Sequence, residues 1–167
     1  MYIIDKKFKN NSGKYFIQSG LAIATIIGIL FFLDVAAHTA IIASLGATVF
    51  TVFSRPKHYL SGVRSIFGGY MVGIIIGALF NFLSSCCYPI FDVKTNLMLF
   101  GALSVGVAIF FMILTNTEHA PAAGISLGMI LNEWNLKTIY FIFGALIFIM
   151  LVKEFLKPYM MNLIGEK

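Results

Sequence analysis

The chain of 167 residues is 59% hydrophobic and only 11% charged, with a formal net charge of +5. Soluble domains carry about 25% charged residues, so this sequence cannot coat a water-facing surface, and its mean hydropathy of +0.92 points to a multi-pass membrane protein. The basic residues cluster beside apolar runs, in Asp5–Lys14, Arg55–Arg64 and from Lys153 onward, which suits anionic lipid and topology control and excludes a nucleic-acid binder.

A membrane-spanning helix needs about 20 mostly apolar residues. After a basic N-terminus over 1–14, Tyr15–Leu33 meets that requirement and Asp34 closes it. The run is too long for the apolar core of a cleaved signal peptide, so it is expected to remain as the first span. Val35–Ser54 carries no formal charge but opens on His38 and Thr39, and Arg55-Pro56 stops it. Ser65–Phe91 is long and uncharged, with Ser65–Leu83 enough to cross, and Asp92 and Lys94 mark a turn. Thr95–Thr117 is the next span. His119–Asn132 is too short for an ordinary crossing and opens on His-Ala-Pro, with Pro121 suited to a first helical turn. Thr138–Val152 completes a transmembrane domain over 15–152, and 153–167 forms a tail. Runs of this length disfavour membrane strands. The fold class is therefore all-α, a polytopic transmembrane helical bundle.

The two short segments share a pattern. His38-Thr-Ala-Ile-Ile-Ala-Ser-Leu-Gly46 aligns, with one gap, on His119-Ala-Pro-Ala-Ala-Gly-Ile-Ser-Leu-Gly128. Each stands between two longer spans, which divides the domain into repeats of about 15–91 and 95–152. Three crossings per repeat make the second inverted relative to the first, a plan that transporters use. With both termini cytoplasmic in the cell membrane, six crossings put most of the basic excess on the inner face. Four spans with two re-entrant segments would move Arg55–Arg64 outside.

Short helices that start inside a membrane protein leave N-terminal amides without partners and with partial positive charge. Small residues let an anion approach such backbone. The expected site is thus a chamber between two opposed half-helix N-termini. One side brings His38, Thr39, Ser44 and Gly46; the other brings His119, Pro121, Ala122, Ala123, Gly124 and Ser126. The two histidines would act as gates or relay groups. Thr39, Ser44, Thr117 and Ser126 offer hydroxyls, which otherwise bond their own helix backbone. Arg64, with Arg55 and Lys57, forms either a lipid anchor or an electrostatic funnel. Gly73-Ile-Ile-Ile-Gly77, with Gly68 and Gly69, marks close helix packing within the bundle or in a homo-oligomer. The adjacent Cys86 and Cys87 provide no disulfide framework or metal spacing, and no cofactor, metal or catalytic constellation is indicated.

Three segments resemble the HPP family of integral membrane proteins. Thr115-Asn-Thr-Glu-His-Ala-Pro-Ala-Ala-Gly124 looks like its signature, Leu45-Gly-Ala-Thr-Val-Phe50 like its Gly-Ala-Ser/Thr segment, and Arg64-Ser-Ile-Phe-Gly-Gly-Tyr70 like its Arg-Asn-x-x-Gly-Gly-His segment. Their order and spacing fit over most of residues 15–152. Ala120, Ser65 and Tyr70 depart from the family's Pro, Asn and His; His119, Pro121, Arg64, Gly68 and Gly69 match. The resemblance implies a transporter or channel for a small monovalent anion, with nitrite favoured because members of the family are linked to nitrite transport. The alternative from the residues is a structural or signalling module assembled through Gly68–Gly77.

Overall fold

In a computed structural model of the chain, the described residues are 6–31, 39–87 and 90–164. They are helical: α1 (Lys6–Phe31), α2 (Thr39–Ser54), α3 (Val63–Cys87), α4 (Val93–Leu114), α5 (Ala120–Leu131) and α6 (Leu136–Leu156), with short 3₁₀ turns at Tyr59–Ser61 and Lys157–Tyr159. The long helices α1, α3, α4 and α6 are apolar enough to cross a membrane. The sixteen residues of α2 and twelve of α5 reach about 24 and 18 Å, short of a hydrocarbon core of about 30 Å.

Local chemistry sets the helix ends. Asp92 N-caps α4, its side chain accepting from the Thr95 backbone N–H at 3.1 Å, and Thr95 holds the Asp92 carboxyl below the usual carboxylate range. Asn135 caps α6 in a reciprocal capping box with Thr138. α4 ends before the predicted Thr117. Asn116 takes the left-handed conformation (φ 54°), while Thr117 N–H donates to the Met112 carbonyl at 2.9 Å and Asn116 N–H to that of Ile113 at 3.1 Å. This is a Schellman closure with asparagine in the place usually taken by glycine.

Two other boundaries differ from the sequence reading. α1 begins at Lys6, across a kink at Asn11, because a polar run can be helical outside the apolar span. α6 continues past Val152 through Lys153 and Glu154. Lys153 is 3% exposed, and its Nζ donates to the Ser61 carbonyl at 2.5 Å, so burial leaves this charge a partner. The tail then folds back under the bundle. Leu163 N–H donates to the Ser54 carbonyl at 2.9 Å. Gln18 Nε2 donates to the carbonyls of Phe53 at 2.6 Å and Met161 at 3.1 Å, and its Oε1 accepts from Met161 N–H.

These contacts fix the helix directions. The start of α1, the 55–62 loop, the 115–118 loop and the tail all gather at one end of the bundle, joined by Gln18–Phe53, Tyr59–Glu118, Arg64–Thr115 and Lys153–Ser61. The other end holds Asn81 against Met129 and Asn96 against Ser84. Successive helices therefore alternate in direction, the short ones included. Each short helix packs on the long helix before it and on the last helix of the other half: α2 on α1 and α6, α5 on α4 and α3. Exchanging α1–α3 with α4–α6 returns the same set of principal contacts, although the α3–α4–α5 side is packed more extensively.

Candidate functional site

α5 is the most enclosed helix because the glycines of α3 make room for it. A Cβ placed on Gly69 would sit 2.8 Å from the Cβ of His119, and one on Gly77 would sit 2.9 Å from the Cα of Ser126. Gly68 meets Thr117 and Gly73 meets the Ala122 carbonyl in the same way. The Gly68–Gly77 stripe is thus occupied inside the bundle by α5 and its lead-in, not held open for a second copy. On its other flank α5 packs on α2, with Gly124 against Ser44 and Gly128 against Ala40 and Ile41.

His119 is the N-cap residue of α5, and no side chain caps this helix. Its backbone is extended and its side chain is 1% exposed. Nε2 lies 2.9 Å from Thr48 Oγ1, and Thr48 Oγ1 lies 2.8 Å from the Tyr70 hydroxyl and 3.1 Å from the Ser44 carbonyl. Thr48 and Tyr70 are fully buried. Nδ1 closes no hydrogen bond of good geometry, and the Leu60 backbone lies within interaction range of the imidazole. His119 lines a cleft of about 390 Å³ together with Ile109, Met112 and Ile113 of α4, Ala120 and Ala123 of α5, and Glu118. His119 sits beside Thr48, six residues before α2 ends, so α5 starts about 9 Å below that end.

The expected chamber between two opposed N-termini is not formed by the described residues. Ala40 lies beside Gly128 while Thr48 lies beside His119, so the short helices overlap side by side and antiparallel. Their N-termini point away from each other, separated by about 12 Å along α2. The physical reason is small-residue packing: Ser44, Gly124 and Gly128 let the two backbones close on one another.

The predicted residues are distributed accordingly. Ala123, with Ala120, borders the cleft, whereas Ala122 is sealed against Gly69 and Gly73 and Gly124 against Ser44. Ser126 donates to the Ala123 carbonyl at 2.8 Å and faces Gly77. Pro121 stands in the first turn. Gly46 faces Ile26 of α1, Thr39 is exposed, and His38 lies outside the described residues. Arg64 is exposed and donates to the Thr115 carbonyl at 3.1 Å, bracing the lead-in to α5.

Thr48 and Tyr70 were not among the predicted residues, because contact between different helices leaves no trace in helical periodicity. A signal existed nonetheless. Thr48, Tyr70 and His119 come one each from the three segments that carry the family resemblance, and here those segments meet at one oxygen atom. No curated protein and no solved structure matches the chain. The family description "HPP, transmembrane region" matches residues 9–157, and the chain therefore belongs to the HPP transmembrane family.

Proposed function

We propose that the protein transports a small monovalent anion, nitrite foremost, and that it is not an enzyme. The observation that carries this reading is His119: a buried imidazole at a helix N-terminus without a side-chain cap, in a residue that lines a cleft and whose Nδ1 closes no hydrogen bond of good geometry. Unpaired buried polar atoms are rare and costly. The partial positive charge of a helix N-terminus favours a negative ligand there.

The hydrogen-bond chain offers a way to present a donor. Tyr70 has no acceptor other than Thr48 among the described residues, so its hydroxyl donates to Thr48. The Thr48 hydrogen then goes either to the Ser44 carbonyl or to Nε2. In the first case Nε2–H donates to Thr48 and Nδ1 is a bare acceptor. In the second, Nδ1 carries the proton and can donate to an oxyanion. Anion binding favours the second tautomer.

The arrangement of the helices supports two inverted repeats, since α2 and α5 run antiparallel and the principal contacts survive exchange of the halves. It also supports an orientation. Arg55, Lys57, Arg64, Lys153 and Lys157 share the end where α1 starts, so by the positive-inside rule that end is cytoplasmic. The His119 cleft then lies toward the cytoplasmic end of the bundle. Because α5 is sealed against α2 and α3, passage requires these helices to separate.

Purified protein in liposomes is expected to take up nitrite above empty-vesicle background, and His119→Ala to lower the rate about 10-fold or more if one charge-assisted contact of about 1.5–3 kcal/mol is lost. Background flux for nitrite, nitrate, formate and chloride alike would refute the proposal.

A further inference from the structure

The opposite end of α5 carries a second site that the anion reading does not use. A polar pocket of about 600 Å³ lies where α5 ends, against the last turns of α3 and the first of α4. Asn81, Ser85, Asn132 and Glu133 are among its lining residues, together with Ile130 and Leu131.

The hydrogen bonds give this pocket a direction. Asn81 Nδ2 donates to the Met129 carbonyl at 2.9 Å and Asn132 Nδ2 to that of Gly128 at 3.0 Å. A carbonyl can only accept, so the side-chain nitrogen must be the atom at each contact and the amide oxygens are left on the other side. Ser85 donates to the Asn81 carbonyl at 3.0 Å. No described donor reaches the carbonyls of Ile130 or Leu131, the final two of α5. Just behind the lining, Asn96 donates to the Ser84 carbonyl at 3.0 Å while its Oδ1, fully buried, has no partner. What remains is a set of acceptors, placed at the negative end of a helix and supplemented by one carboxylate.

We propose that this pocket binds a hydrated alkali cation. Neutral oxygens with a single carboxylate balance one positive charge; divalent sites gather more anionic ligands. The ligand set is Glu133, the amide oxygens of Asn81 and Asn132, and the free carbonyls at the end of α5, some reached through water. This inference is independent of what happens at His119, since it concerns the other end of the helix and other residues.

The test is thermal unfolding of the full chain in detergent with sodium chloride or potassium chloride, ionic strength being held constant with N-methyl-D-glucamine chloride. One of the two cations should raise the melting temperature saturably, by about 3–5 °C at tenfold excess over its dissociation constant. The rise should vanish in Glu133→Gln, an exposed and therefore mild change, and persist in Lys137→Gln and in His119→Ala. No saturable rise with either cation, or an equal rise in Glu133→Gln, overturns the proposal. Because the readout is stability, an inactive anion pathway would not mask the result.

Discussion

Thr48 has one hydrogen and three neighbours, Tyr70, His119 and the Ser44 carbonyl. Replacing it with valine keeps the shape and removes the oxygen, which strands the Tyr70 hydroxyl and Nε2 in a dry site. Each orphaned group costs about 1–3 kcal/mol. Tyr70→Phe removes a donor but leaves Thr48 its other partners, at about 1 kcal/mol. Unfolding measurements should therefore rank Thr48→Val as the more damaging, and the same order is expected in nitrite flux. A larger loss in Tyr70→Phe would contradict the role given to Thr48. None of this was readable from residue spacing. His119 stood out as an ionisable group inside apolar sequence, whereas a threonine and a tyrosine in a membrane helix announce nothing until the helices are brought together.

At the level of helices, α5 is held by the glycines it rests on. A methyl group on Gly77 would meet the Ser126 backbone at 2.9 Å, while one on Gly106 of α4 would meet nothing within 4 Å. Gly77→Ala should sharply reduce the yield of folded protein, since backbone cannot move aside as a side-chain tip can. Gly106→Ala should be neutral or stabilising by about 0.5–1 kcal/mol. Gel filtration and thermal scans of both variants would check the contrast, and a well-folded Gly77→Ala would show that α5 is looser than described. The helices themselves were largely legible. Uncharged runs located the spans, and the polar openings picked out the two short segments. α1 and α6 run beyond the apolar spans because a charged residue does not by itself end a helix. Lys153 instead continues α6, since a carbonyl in the facing loop receives its ammonium group.

For the molecule as a whole, the small residues that revealed the short helices also misled. They suggested room for an anion between two N-termini, but in the structure they let α2 and α5 close on each other. The transport proposal consequently requires relative motion of α2 and α5. A Cβ on Gly128 would lie 3.5 Å from the Cβ of Ala40, within the range of a disulfide. In a background with Cys86 and Cys87 replaced by alanine, the pair Ala40→Cys and Gly128→Cys should cross-link, arrest nitrite flux when oxidised and release it on reduction. Undiminished flux through fully cross-linked protein would mean that α5 need not part from α2.

The most direct test of the anion site is the ¹⁵N spectrum of the histidine side chains in the purified protein, which has three histidines to resolve, with His119 assigned by its loss in His119→Gln. Nitrite titration should shift Nδ1 of His119 saturably toward the signature of a protonated, hydrogen-bonded nitrogen. If Nδ1 does not respond to nitrite at concentrations that saturate transport, the anion passes elsewhere and the site assigned to the mouth of α5 is wrong.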